Sequence, residues 1–163
     1  MLGYKEYLKE SLQAYFDIEE NYELGQEKFD LYASFNQRNA KYMLLKNVEV
    51  YAFTSNEYIF HKKMESAISD AEILWIKAFI KENLDKIVSH DGEHMSSVLT
   101  FIFEGPMPDE KTQKKIEKFK YYKSFSFGLK GWVNTKVMLI DPVHKNGITN
   151  KLGRPDLQRF IMN

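Results

Sequence analysis

The stretch between residues 29 and 63 contains several short strands in close succession, and this constrains the fold more than any other feature of the chain. Alternate residues of the first strand, 29–36, are apolar, which is the pattern of a half-buried strand. Further strands are predicted at residues 40–44, 48–54 and 57–63, separated by short polar breaks. Connections this short join antiparallel neighbours, so the sequence predicts an antiparallel meander.

A helix is predicted before the meander, at residues 4–16, and residues 17–27 follow it as an acidic connector. The helix is amphipathic because its large apolar and aromatic residues repeat with helical spacing. These residues form one stripe: Tyr4, Leu8, Leu12 and Tyr15.

The main helix is predicted after the meander, at residues 66–88. Its ordered part begins at Ser66 or at Ser69, and Ser69 opens a capping-box pattern. The middle turns leave little polar surface, which indicates a helix that is buried on more than one side. We therefore expect Trp75 and Phe79 both to be largely buried.

The second half of the chain alternates strands and helices. Residues 98–103 are continuously apolar, as in a central strand that is covered on both faces. Asp109 can cap a short helix that reaches about residue 119. A hairpin at residues 121–129 and 133–141 follows, and Pro155 suits the first turn of a tail helix.

The register of this hairpin can be argued from the alternation of its side chains. A three-residue loop pairs Phe125 with Val137 and gives one apolar face, whereas a two-residue loop places Phe125 opposite Lys136. We therefore predict an odd-length loop in which Gly131 takes a positive φ. With no internal repeat or linker, residues 1–163 form a single α+β domain with a mainly antiparallel sheet.

Composition excludes several classes of function. The chain has no cysteine, so it has no disulfide, no thiolate nucleophile and no cysteine-ligated zinc or iron–sulfur site. Its formal net charge is zero, so no global field attracts nucleic acid or an anionic membrane. The longest apolar run is too short to span a bilayer, and the N-terminus lacks a signal-peptide core. These features predict a cytoplasmic protein without a membrane partner.

Four polar residues near strand ends of the meander form the predicted binding cluster. The guanidinium group of Arg38 can form two hydrogen bonds with a carboxylate or a phosphate. Nearby acids could equally bind it in a structural ion pair. The cluster consists of Arg38, Asn39, Lys41 and Glu57.

The element order over about residues 4–103 resembles the core of the restriction endonuclease-like superfamily. In that family one meander strand carries an acid and the next carries Glu-x-Lys, which together bind a divalent cation and orient the attacking water. The candidate acids here are Asp30, Glu49 and Glu57, and neither glutamate is followed by lysine two residues later. The resemblance implies a metal-dependent nuclease with an altered motif as the alternative function.

A third hypothesis is RNA binding. Residues 111–130 carry seven lysines and one glutamate, and the run from Lys123 to Gly128 resembles the aromatic strand of RNA recognition motifs. The alternation places Phe125 and Phe127 on the buried face, however, so a core role for these rings is favoured over base stacking.

The histidine-rich segment is predicted not to be a metal site. His90, Asp91, Glu93 and His94 offer suitable ligands, but Gly92 loosens the segment, and four ligands from five consecutive residues cannot easily surround one ion. We therefore expect no metal and no cofactor.

The leading hypothesis is a non-enzymatic interaction or ligand-binding module that forms a homodimer. An apolar main helix and an aromatic content of 15% favour self-association. Charge is also segregated, because residues 17–30 carry six acids and one base, whereas residues 111–130 are basic. These two segments can face each other within one subunit or across the dimer, whereas a solvated face is the commoner outcome for such blocks of like charge.

Overall fold

The computed structural model describes residues 2–36, 55–88, 96–125 and 131–163, which form an α+β fold around one seven-stranded sheet. The strands are β1 (Asp17–Leu24), β2 (Glu27–Phe35), β3 (Asn56–Lys63), β4 (Ser96–Glu104), β5 (Tyr122–Ser124), β6 (Trp132–Asp141) and β7 (Asn146–Thr149). The helices are α1 (Tyr4–Leu12), α2 (Asp70–Ile87), α3 (Glu110–Glu117) and α4 (Leu157–Phe160), with a 3₁₀ helix at Lys151–Gly153.

The sheet is mixed, with the strand order β1-β2-β3-β4-β6-β5. Strands β1, β2 and β3 are antiparallel neighbours, whereas β4 runs parallel to both β3 and β6. Parallel pairs need a crossover, and the chain places α2 between β3 and β4, and α3 between β4 and β6. β5 and β7 both pair antiparallel with the edge of β6 that faces away from β4.

The prediction of an acidic connector at residues 17–27 is wrong, because these residues form β1 and the turn into β2. Within the described part of the chain, β1 is an edge strand with a solvated, charged surface, so it lacks the apolar alternation that identifies the other strands. Gly25 permits the tight turn by taking a φ of 63°. The strands predicted at residues 40–44 and 48–54 lie outside the described residues.

Both faces of the sheet are covered, as predicted for β4. α2 packs on one face against an aromatic layer that includes Phe60 and Phe101. α1 and the C-terminal segment cover the other face, where Leu8 and Ile102 are buried. None of the helices in the described ranges combines the length and the apolarity needed to cross a membrane.

The main helix begins as the sequence indicated but is buried on one side only. Ser69 caps it, and its side chain and that of Glu72 complete a capping box. Phe79 is 2% exposed, as expected, whereas Trp75 is half-buried and Leu74 is 68% exposed. The prediction of burial on several sides is therefore wrong, because only one stripe of the helix meets the sheet.

The hairpin register is also corrected. Gly131 has the predicted positive φ of 101°, but the N–H of Phe125 donates to the carbonyl of Gly131, so the predicted pairing of Phe125 with Val137 is wrong. The reason is competition for the edge of β6, since β7 pairs with its far end and Asn150 bonds to Val137.

Asn150 completes the sheet where two short strands leave a gap. β5 pairs with β6 up to Asn134, and β7 begins to pair at Met138. The Asn150 side chain accepts from the Val137 N–H at 3.0 Å and donates to the Thr135 carbonyl at 2.9 Å. A buried amide thus supplies the hydrogen bonds that a continuous neighbouring strand would have made.

The helices at the two ends of the chain are shorter than the sequence indicated. α1 ends at Leu12, and the buried side chain of Phe16 extends its apolar contact while Tyr15 is only half-buried. The tail helix predicted after Pro155 is confirmed as the single turn of α4.

The first testable prediction concerns the aromatic layer under α2. Phe79→Ala should lower the free energy of unfolding by about 3–5 kcal/mol, because it removes a buried ring and leaves a cavity. Leu74→Ala, on the exposed side of the same helix, should change it by less than about 0.5 kcal/mol. Urea unfolding followed by circular dichroism measures both, and equal effects would show that the helix is packed differently.

Candidate ligand-binding cavity

A cavity of about 580 Å³ lies between one face of the sheet, the end of α1 and the C-terminal segment. α1 has nine residues and therefore spans only about 14 Å, so it covers part of this face and leaves the rest to the chain that follows. The floor comes from β3, β4 and β6 through Ile59, Thr100 and Lys136. The walls include Phe16 and Phe160.

The register of the parallel strands brings the polar residues of the floor together. Ile59, Thr100 and Lys136 lie side by side in one row across β3, β4 and β6. Glu57 is two residues before Ile59 and points to the same face, since side chains alternate along a strand. Glu57 and Lys136 therefore face the same cavity from strands that are not neighbours.

Glu57 is the most perturbed carboxyl group in the cavity. Burial raises the pKa of Glu57 from 4.5 to about 7, although the nearby positive charge of Lys136 and a hydrogen bond from Ser55 act in the opposite direction. The Ser55 hydroxyl donates to Oε1 of Glu57 at 3.2 Å. Near neutral pH this side chain can therefore either donate or accept a proton.

Three further charges lie beside Glu57. Lys136 forms an ion pair with Asp156, and the two side chains are only 15% and 24% exposed. Arg159 reaches the other oxygen of the same carboxylate at 3.9 Å, and its own side chain is 62% exposed. Asp156 thus holds Lys136 closely and Arg159 loosely, which leaves the guanidinium group accessible from the cavity mouth.

Of the predicted binding cluster, Glu57 lies in this cavity, whereas Arg38, Asn39 and Lys41 lie outside the described residues. The sequence analysis did not identify Lys136 or the C-terminal charges. Two signals could have indicated them. Lys136 interrupts an otherwise mostly apolar strand, and Asp156 and Arg159 share a face at helical spacing.

The acids of the nuclease-like hypothesis do not all converge. Asp30 accepts from the backbone N–H of Lys63 at 2.7 Å, at the opposite end of β3 from Glu57. Glu49 lies outside the described residues, as do His90, Asp91, Glu93 and His94. Within the four described ranges, no group of three or more acidic or histidine side chains is placed to hold a metal ion.

The charged segments contribute strands to different parts of the sheet. Among the described residues, the acidic strand β1 lies at one edge of the sheet and β5, from the basic segment, lies at the other. Phe125 packs partly buried against the core, and Lys123 lies 5.5 Å from its ring centroid. This placement agrees with the core role predicted for Phe125.

A second buried polar pair lies on the sheet beneath the two ends of the chain. Nε2 of His61 lies 2.8 Å from Oε2 of Glu104, and the Tyr4 ring packs 5.5 Å from the imidazole. The Tyr4 hydroxyl donates to the carbonyl of Phe160 at 2.8 Å, and burial raises its pKa. These contacts join α1 to α4 and hold both against the sheet, so we assign the pair a structural role.

Comparison with known proteins identifies a family whose function is unknown. A family model described as a domain of unknown function, DUF8052, matches residues 2–161. Comparisons with curated proteins and with solved structures gave no match.

The second prediction concerns Glu57 and pH. Because its folded pKa is raised, the folded protein binds more protons than the unfolded chain between about pH 4.5 and 7, so stability falls as pH rises through this interval. Glu57→Gln mimics the protonated form. The variant should match the wild type at about pH 4 and exceed it by about 2–3 kcal/mol at about pH 8, with partial solvent exposure allowed for.

Denaturant unfolding at several pH values measures this difference. Glu65→Gln is the matched control, because Glu65 is exposed and lies outside the cavity. Parallel pH profiles for the wild type and Glu57→Gln would contradict a raised pKa at this position.

Proposed function

The chain belongs to the DUF8052 family, domains of unknown function, and we propose that it binds a small organic acid in the cavity around Glu57. One observation carries the proposal. Four ionisable side chains from three separate parts of the sequence converge on a cavity whose remaining walls are largely apolar. Pockets that combine apolar walls with a few convergent polar groups are the usual form of a small-molecule site.

The charges favour an anion. When Glu57 is protonated, the two cations Lys136 and Arg159 and the one carboxylate of Asp156 leave one net positive charge. A ligand carboxylate can accept from Arg159 and from the protonated Glu57, and guanidinium–carboxylate pairs are among the stronger hydrogen bonds in proteins.

The walls favour an apolar body attached to this acid. Four buried apolar residues line the same cavity as the charges: Leu12, Phe16, Ile59 and Phe160. A volume of about 580 Å³ falls within the usual range of roughly 300–1,000 Å³ for small-molecule pockets. A short aliphatic or aromatic carboxylate fits both the size and the chemistry.

The third prediction tests this preference with octanoate, octanol and octylamine, which share one tail and differ in the head group. Octanoate should raise the melting temperature, because a ligand that binds only the folded state stabilises it, whereas the other two should not. Arg159→Gln should weaken octanoate binding about tenfold by removing the accessible cation. Arg154→Gln, an exposed arginine outside the cavity, should leave it unchanged.

Binding should also depend on pH. Since protonated Glu57 donates to the ligand, octanoate should bind more tightly at about pH 6 than at about pH 8, and Glu57→Gln should remove most of this difference. Preferential binding of octylamine, or equal binding of all three compounds, would refute the acid site.

Catalysis is the second candidate function, because Glu57 and Lys136 supply one of the two carboxylates and the lysine of the nuclease-like motif, although from different strands. The fourth prediction follows from this alternative. A nuclease should cleave plasmid DNA in Mg²⁺ or Mn²⁺, and both Glu57→Gln and Lys136→Met should abolish the cleavage, whereas Glu65→Gln should not. Cleavage that survives in both variants would place any activity elsewhere or in a contaminant.

The remaining expectations also stay predictions. RNA binding has less support than either candidate, since Phe125 packs partly against the core. A homodimer and a cytoplasmic location are proposed from the sequence alone.

A further inference from the structure

A second cavity, of about 400 Å³, adjoins the first. It lies at the outer edge of β6, and the aromatic rings of Phe119, Tyr121 and Tyr122 form much of its wall. Leu152 and Pro155 line both cavities, so the segment that begins with the 3₁₀ helix is the boundary between them.

The interrupted sheet edge creates this space. β5 and β7 leave a gap along β6. In this gap the Asn150 side chain replaces backbone hydrogen bonds only. The volume above the gap holds no strand in the described part of the chain. The Thr135 hydroxyl, on a residue only 2% exposed, lines the cavity and has no hydrogen-bond partner among the described residues.

The second cavity suits an apolar group better than a charged one. Tyr122 is 59% exposed and Leu152 is 40% exposed, so a large apolar surface faces water at this mouth. Lys120 and Lys151 also line the cavity, but both residues are exposed and can keep their charged ends in solvent. The half-buried ion pair and the perturbed carboxyl belong to the first cavity alone.

We propose that the ligand is an elongated single-chain amphiphile that occupies both cavities. Its acidic head lies between Glu57 and Arg159, and its apolar tail passes Leu152 and Pro155 to reach the rings of Tyr121 and Tyr122. This inference rests on the proposed acid-binding function and adds a requirement for tail length. Burial of the tail against the two tyrosines removes their exposed apolar surface from water, which is the driving force for this part of binding.

The fifth prediction is tested by calorimetric titration of the full chain with hexanoate and with dodecanoate below its micelle concentration. Dodecanoate should bind at least about tenfold more tightly than hexanoate, because its tail buries additional methylenes. Tyr122→Ala should weaken dodecanoate binding about tenfold and leave hexanoate binding unchanged. Leu74→Ala removes an apolar side chain of similar exposure, 68% against 59% for Tyr122, from α2 and should affect neither ligand.

The two proposals fail differently in this experiment. If hexanoate and dodecanoate bind with equal affinity and Tyr122→Ala changes neither, the acid site stands and the extended ligand is overturned. If neither acid binds, the proposed function itself is overturned.

Photolabelling checks the orientation directly. A dodecanoate that carries a diazirine at the tail end should label the peptide containing residues 119–122, and one that carries it next to the carboxylate should label residues 155–160. The opposite labelling pattern would overturn the proposed orientation. Labelling of residues 155–160 by both probes would show that the tail stays in the first cavity, which also overturns the proposal.

Discussion

The in-register parallel pairing of β3, β4 and β6 is the constraint on which the rest of the structure depends. It aligns side chains in rows across three strands, so one face becomes an apolar layer under α2 and the other presents Glu57, Thr100 and Lys136 together. Parallel neighbours require crossover connections, which is why helices separate these strands in the sequence. The antiparallel strands on either side extend the sheet without changing these rows.

The second face depends on both ends of the chain. α1 and α4 meet over the sheet through the hydrogen bond from Tyr4 to Phe160, above the buried pair of His61 and Glu104. Buried ionisable groups are costly unless they are paired, so this arrangement specifies how the two ends dock as much as it stabilises them. Neither end alone closes the cavity, because its walls combine the end of α1 with the C-terminal segment.

The cavity contains a carboxyl group that burial disfavours in its charged form. A glutamine at position 57 would keep the Ser55 contact without this cost to stability, so the glutamate has no evident structural advantage. Groups with strongly perturbed pKa values in clefts are often functional for this reason, although structural ion pairs also perturb them. Here the perturbation coincides with a cavity, an accessible guanidinium group and an adjoining apolar space, and these observations together support a ligand site.

The sequence by itself determined the elements with strong local signals: the α+β class, the capping box at Ser69, the buried Phe79 and the positive φ of Gly131. These depend on periodicity, capping and turn chemistry, which act over a few residues. It also singled out Glu57, but not the partners of Glu57. Only the tertiary structure decided that Lys136 and Arg159 would join it, because strand order and the docking of the C-terminus bring together residues that are far apart in the chain. Contacts of that kind depend on the packing of whole helices and strands, so no local sequence pattern predicts them.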